Sequence, residues 1–155
     1  MVECSKKKIM TQVLAKKAMF TLDSFGKYYF VGGGNAGGYG LILKNDSLNY
    51  KFILGILNSS LSDFYLKNHT SLFQGGYYSY AKRFIEKIPI KVISREKQKP
   101  LIEIVDKILS ITKDDDYSKN PEKQAKVKAY ERRINRLVYN LYGLTDDEIK
   151  IIEAS

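Results

Sequence analysis

The stretch Val31–Gly40, VGGGNAGGYG, comes after the aromatic run KYYF (Lys27–Phe30), and its reading decides the fold. Gly32, Gly34 and Gly37 satisfy G-x-G-x-x-G, while Phe30, Gly32 and Gly34 satisfy an F-x-G-x-G cofactor pattern. A working dinucleotide loop must open a helix, because the anion sits on the free N–H groups and positive dipole end of that helix. The chain instead continues as GYGLILK (Gly38–Lys44), in which Tyr39, Leu41 and Leu43 alternate with small or polar residues at the period of a strand. No acidic residue stands about twenty positions on to hold a ribose hydroxyl. The stretch reads as strand, glycine loop, strand, rather than as a nucleotide site.

Working outward, Ile9–Ala15 (IMTQVLA) and Ala18–Leu22 (AMFTL) are separated by Lys16-Lys17 and predict a short hairpin. Tyr28–Val31 and Tyr39–Lys44 add strands on either side of the glycine loop, giving a small, mostly antiparallel sheet. In Asn49–His69, Phe52, Ile53, Ile56, Leu57, Leu61, Phe64 and Tyr65 recur at three- and four-residue spacing, so an amphipathic helix covers that sheet. Gly55 and Ser59-Ser60 weaken it and predict a kink or a close approach. Pro89 forces Ile88 to be extended, so a short helix over Lys82–Lys87 ends there.

From Glu96 the pattern becomes helical. Leu101, Ile104, Val105, Ile108, Leu109 and Thr112 form one stripe, and Val127, Tyr130, Ile134, Leu137, Val138 and Leu141 form another, each resembling a coiled-coil seam. KDDDYSKNPEK (Lys113–Lys123) separates them, with Asn120-Pro121 as N-cap and first helical residue of the second. The pair predicts an antiparallel helical hairpin. Gly143 ends it, and Thr145-x-x-Glu148 is a capping box for a short terminal helix. The expected class is α+β, with a recognition part over 1–95 and a helical spacer over 96–155.

A chain of 155 residues with 44% apolar residues folds around one core of ordinary size, or one core plus a helical extension. No apolar run approaches the roughly 18 to 20 residues of a membrane span, and the first thirty residues lack a signal-peptide core, which reads as cytoplasmic with no membrane partner. Strand-like sequence a few residues after Met1 fits a chain trimmed at a domain boundary. Cys4 is the sole cysteine, which excludes an internal disulfide, and with His69 as the sole histidine it builds no zinc site of the usual kind. The Asp114–Asp116 run lacks the spacing and later Glu of a calcium loop. No nucleophile–base pair stands at a recognisable spacing, so neither a catalytic nor a metal site is expected.

Net charge is +9, and residues 1–95 hold 14 Lys and Arg against 5 Asp and Glu, whereas residues 96–155 hold 12 of each. The aromatics go with the charge, 15 of the Phe and Tyr residues falling in 1–95. Lysines interleaved with tyrosines suit a phosphate backbone flanked by bases. Lys16, Lys17, Lys27 and Lys67 are the candidate phosphate contacts. Asn35, Gln74, Tyr77, Tyr78, Tyr80, Lys82 and Arg83, in or beside the two glycine-bearing loops Gly32–Gly40 and Ser71–Arg83, are the candidates nearest to bases. Three tyrosines within four residues cannot all face one way on a strand, so some belong to the core. The helical hairpin, neutral overall, is expected to pack or dock, against another domain or a second copy, rather than to read DNA. A protein-docking module of a phage-defence or restriction complex, without DNA binding of its own, is the alternative; its binding would be insensitive to salt.

Three passages carry a resemblance: ILGILNSSLSDFYLKN (Ile53–Asn68); GGYYSYAKRFIEKIPI (Gly75–Ile90) with QKPLIEIVDKIL (Gln98–Leu109) after it; and YERRINRLVYNLYGLTDDEIKIIE (Tyr130–Glu153). In this order they resemble the C-terminal specificity domain of TaqI-like adenine-N6 DNA methyltransferases and fused restriction–modification enzymes. The middle passage is also similar to type I restriction specificity subunits, whose recognition domain ends in an I-P-I turn before a long helix. The resemblance implies a target-recognition domain for double-stranded DNA that serves a methyltransferase catalytic domain in cis or in trans. S-adenosylmethionine would bind in that other domain, whose N-P-P-Y-type motif is absent here; Asn120-Pro121-Glu122 is only a helix start. The resemblance implies no base-contacting residue, because such residues depend on each enzyme's own target.

Overall fold

The computed structural model describes residues 6–30 and 37–155. Its mixed α+β architecture holds β1 (Lys8–Gln12), β2 (Leu14–Ala15), β3 (Thr21–Asp23) and β4 (Gly38–Leu41), then α1 (Tyr50–Leu57) and α2 (Ser60–His69). The hairpin β5 (Leu72–Phe73) and β6 (Tyr77–Ser79) precedes α3 (Lys82–Ile85), α4 (Arg95–Thr112), α5 (Pro121–Tyr142) and α6 (Asp146–Glu153).

The strands form two small antiparallel sheets where the sequence predicted one, ordered β3-β1-β4 and β2-β6-β5. The predicted strand Ile9–Ala15 turns from one sheet to the other at Val13. There the Val13 N–H donates to the Gly37 carbonyl at 3.1 Å, and the Val13 carbonyl accepts from the Tyr80 N–H at 2.7 Å. The predicted hairpin survives as the pairing of Ile9 with Leu22. Tyr28–Phe30, expected as a strand, forms none; Val31 lies outside the described residues. The N–H of Tyr28 itself and those of Phe25 and Lys27 before it go to the Asp23 carboxylate instead of to a ladder.

Ile9, Leu22 and Leu41 share the inner face of the first sheet, at matched register. On them lies α1, whose residues Phe52–Leu57 are all buried. Each large apolar side chain so placed contributes about 1.5–3 kcal/mol relative to exposure. The helix predicted over Asn49–His69 breaks at Asn58-Ser59. The Asn58 amide accepts from the Phe20 N–H and donates to the Phe20 carbonyl, at 2.9 and 2.8 Å, while the Ser59 hydroxyl caps α2. Gly55 supplies the close approach: a Cβ there would meet Leu101 at 3.1 Å and Val105 at 3.2 Å, so α4 lies directly on α1.

The helical hairpin forms between α4 and α5, with Asn120 capping α5, Gly143 ending it in the left-handed region at φ 68°, and the Thr145/Glu148 capping box starting α6. Its seam is not closed on itself as a coiled coil would be. Leu101, Ile104 and Val105 join Ile134 and Val138 in the same core as Ile9 and Phe52. Gln98, fully buried on α4, accepts from the Asn49 N–H and donates to the Ser47 and Ile93 carbonyls. One amide thus ties the first turn of α4 to the loop entering α1.

Candidate nucleic-acid interface

Two aspartates organise two aromatic, basic surfaces. Asp23, buried at the end of β3, accepts from Lys8 Nζ at 2.8 Å and from the backbone N–H groups of Phe25, Lys27 and Tyr28 at 3.3, 3.1 and 3.0 Å. Burial pushes its carboxyl up, but the Lys8 bond and the three backbone donors outweigh that and hold it well below the ordinary carboxylate value of 3.8. Gly26, at φ 64°, makes the left-handed step that lets those N–H groups converge on one carboxylate. The result is a closed turn with its aromatics outside: Phe25 is 79% exposed and Tyr28 67%. Lys27 Nζ stands 5.4 Å from the Phe25 ring centroid, and Lys8 Nζ 5.3 Å from that of Tyr29.

β4 explains the GYG of the opening stretch. Gly38 and Gly40 share the face of the first sheet away from the core, with Gln12 and Met10 opposite them. A Cβ on Gly38 would stand 2.3 Å from the Phe30 ring, and one on Gly40 would stand 2.9 Å from the Lys8 side chain. The two glycines leave the space that the tip of the Phe30 ring and the Lys8 stem occupy. The remainder of the predicted loop, including Asn35, lies outside the described residues.

The second surface is the β5–β6 hairpin, turned through Gly75 and Gly76 at φ 84° and 78°. Leu72 is 65% exposed and Tyr77 41%, and Gln74 is exposed between them. β2 pairs with β6 and places Lys16 beside the hairpin, its Nζ 5.3 Å from the Tyr77 ring centroid; Lys17 is exposed next to it. Lys82 and Arg83 are exposed in α3, the Arg83 guanidinium 4.7 Å from the Phe84 ring centroid.

Two predicted contacts sit differently. Tyr80 is fully buried: its ring meets Phe20 edge-on at 6.1 Å, its hydroxyl donates to Asp63 at 3.1 Å, and burial, with the Asp63 charge second, pushes the phenol above its usual range. It is a core residue, not a surface contact. Lys67 pairs with Asp63 at 2.7 Å and leans over the half-buried Tyr78, so its charge is already matched. Asp63 also accepts from the Ala18 N–H at 2.8 Å, which pins the Lys16–Ala18 segment to α2. Sequence reasoning missed Phe25 altogether and took up Tyr28 only in a strand-like aromatic run. The signal in the sequence was Asp23-Ser-Phe-Gly26, an Asp with a Gly three residues later, the chemistry of a turn.

Exposed aromatics stand beside cations on two surfaces of a small α+β scaffold, a combination whose chemistry suits recognition. The family described as TaqI-like C-terminal specificity domain matches residues 2–90, more than half of the 155 residues, and the chain belongs to it. Such a domain serves DNA target recognition in a methyltransferase context. Both surfaces fall within the match; Gln98–Leu109 and Tyr130–Glu153 lie beyond it. No curated protein matches the chain. No helix among the described residues is long and apolar enough to cross a membrane.

Proposed function

We propose that this chain reads a sequence in double-stranded DNA and holds a separate methyltransferase catalytic domain, in cis or in trans, on that target. The observation that carries the reading is the coincidence of the family match over residues 2–90 with the two basic, aromatic surfaces. Lys16, Lys17, Lys27, Lys82 and Arg83 neutralise phosphates, while Gln74, Tyr77, Phe25 and Tyr28 lie nearest to base edges and sugars. The parent activity is adenine-N6 methylation, with S-adenosylmethionine bound by the catalytic domain, in the cytoplasm. Residues 1–95 form the recognition part, and 96–155 the helical extension that meets the catalytic domain.

The test is fluorescence anisotropy of the chain with a random-sequence duplex, titrated from about 50 to 200 mM salt, across which several phosphate contacts lose orders of magnitude in affinity. Steep loss is expected, and a preferred site should then be selected from a random pool. A chain that does not bind at about 50 mM salt, or binds with no salt dependence, does not track a DNA backbone.

A further inference from the structure

The zero net charge of residues 96–155 conceals a segregation. α5 alone holds six Lys and Arg against two Glu, the balancing acids standing in α4, in the Asp114–Asp116 loop and in α6. Lys123 is consumed by Asp114 and Asp116, at 2.7 and 2.5 Å. Arg132, Arg133 and Arg136 are not: all three are exposed, and among the described residues none has an ion pair, a hydrogen bond or a ring contact. They line an open hollow of about 430 Å³ with Ala129 and Asn135, and its one acid, Glu153, forms no ion pair with them. A guanidinium presents a fork of donors matched to phosphate, and three such forks on one side of a helix, unanswered within the molecule, await anions.

We infer that the exposed arginine face of α5, outside the family match, is a second contact for the sugar–phosphate backbone of the DNA held by the recognition surfaces. Asn135 places it there. It lines the arginine hollow and also the neighbouring cleft of about 580 Å³ that contains Lys17, and its amide accepts from the Ser60 N–H at 2.9 Å and donates to the Ser60 hydroxyl at 2.8 Å. The arginines and the Lys17 segment are therefore neighbours across α2. Lys126, ten residues before Arg136, continues the face over about 15 Å, room for about four phosphates of one strand along the duplex axis. No large apolar residue is exposed on α5, so a bilayer has nothing to receive there. The inference rests on the DNA reading above, and it reverses the expectation that the hairpin only packs or docks.

The experiment compares the full chain with two triple variants, Arg132→Gln, Arg133→Gln, Arg136→Gln on α5, and Lys16→Gln, Lys17→Gln, Arg83→Gln on the recognition side. Glutamine keeps helix propensity, and thermal unfolding checks that each variant is folded. The logarithm of affinity for a random duplex is measured against the logarithm of salt. The α5 variant is expected to lose about 2 to 3 from the slope, so that its affinity changes about 40-fold less than that of the unaltered chain between about 50 and 200 mM salt. An unchanged slope in the α5 variant, beside a reduced one on the recognition side, overturns this inference alone and leaves the arginines to an acidic protein. The converse result sustains it and overturns the placement of the recognition surface. A chain that binds no duplex at low salt overturns both.

Discussion

The two basic, aromatic surfaces both set lysines beside exposed rings and are held in different ways. Around Phe25 and Tyr28 one carboxylate gathers a lysine and three backbone N–H groups, so that turn is fixed by a charge inside it. The β5–β6 hairpin is held by its own short ladder, by β2 along β6 and by two glycines, with Phe73 and Leu72 facing Tyr77 and Tyr78. On the DNA reading proposed above, the first surface would meet a backbone already in its final shape. The second is anchored by the half-buried Tyr78 but has no buried charged residue, and Leu72, Phe73 and Tyr77 are exposed, so its tip has less to resist bending. On that same reading a domain that must both find a backbone and accept a particular sequence would gain from this division, the turn registering and the hairpin adapting.

Asp23→Ala should break the comparison most completely. Three backbone donors then lose their acceptor, and a buried group left unmade costs more than a made bond contributes. The amides of Phe25, Lys27 and Tyr28 are expected to exchange about tenfold faster or more, and DNA affinity to fall, while Tyr77–Ser79 keeps its exchange pattern. Hydrogen exchange monitored by mass spectrometry reads both; equal loosening of the hairpin would show that the surfaces are not independently held. Acid should do the same to the native chain. The folded Asp23 carboxyl lies below its ordinary value of 3.8, so its contribution is complete above that value and is lost as pH falls through the window beneath it. Unfolding midpoints should decline below about pH 4, and Asp23→Asn, which lacks the titrating group, should show a shallower decline.

Gly76→Val probes the other side. At φ 78° a β-branched residue is strained although nothing lies within 4 Å of the added Cβ, so the cost is purely one of backbone, about 1–2 kcal/mol. Thermal unfolding should register that loss, with the protection of Phe25, Lys27 and Tyr28 unchanged. Its effect on DNA binding should exceed its effect on stability if the hairpin must bend onto the groove.

These two surfaces were unequally legible in the sequence. Ser71–Arg83 was legible as a glycine-bearing loop though not as the β5–β6 hairpin it forms, whereas the α5 and α6 caps were explicit, because cap chemistry is local. The Asp23 turn depends on Lys8, fifteen residues away, and no periodicity encodes that pairing; the aromatic run Tyr28–Phe30 consequently read as a strand. The division into two sheets was hidden for the same reason, since Val13 serves both only through Gly37 and Tyr80. Tyr80, counted as a candidate contact, was separated from Tyr77 only by Asp63 and Phe20, which meet it from distant parts of the chain. Charge was legible as a sum but not as a surface: Lys67 is neutralised by Asp63, and the arginines of α5 vanish in a segment total of zero.

The smallest effect sharpens the comparison most. Lys16 and Tyr77 are joined by one cation–ring contact at 5.3 Å, both residues exposed, and such a contact at an exposed site is worth about 0.5–1 kcal/mol. Lys27 and Phe25 are related in the same way at 5.4 Å, but there the backbone of both is already fixed by Asp23. In a double-mutant cycle for stability, Lys16→Gln with Tyr77→Leu should therefore show measurable coupling, because the contact helps to order a soft hairpin. Lys27→Gln with Phe25→Leu should show coupling near zero, the order being supplied from beneath. Equal couplings would mean that the aspartate adds nothing to what the surface side chains arrange for themselves, and the two platforms would differ in appearance only.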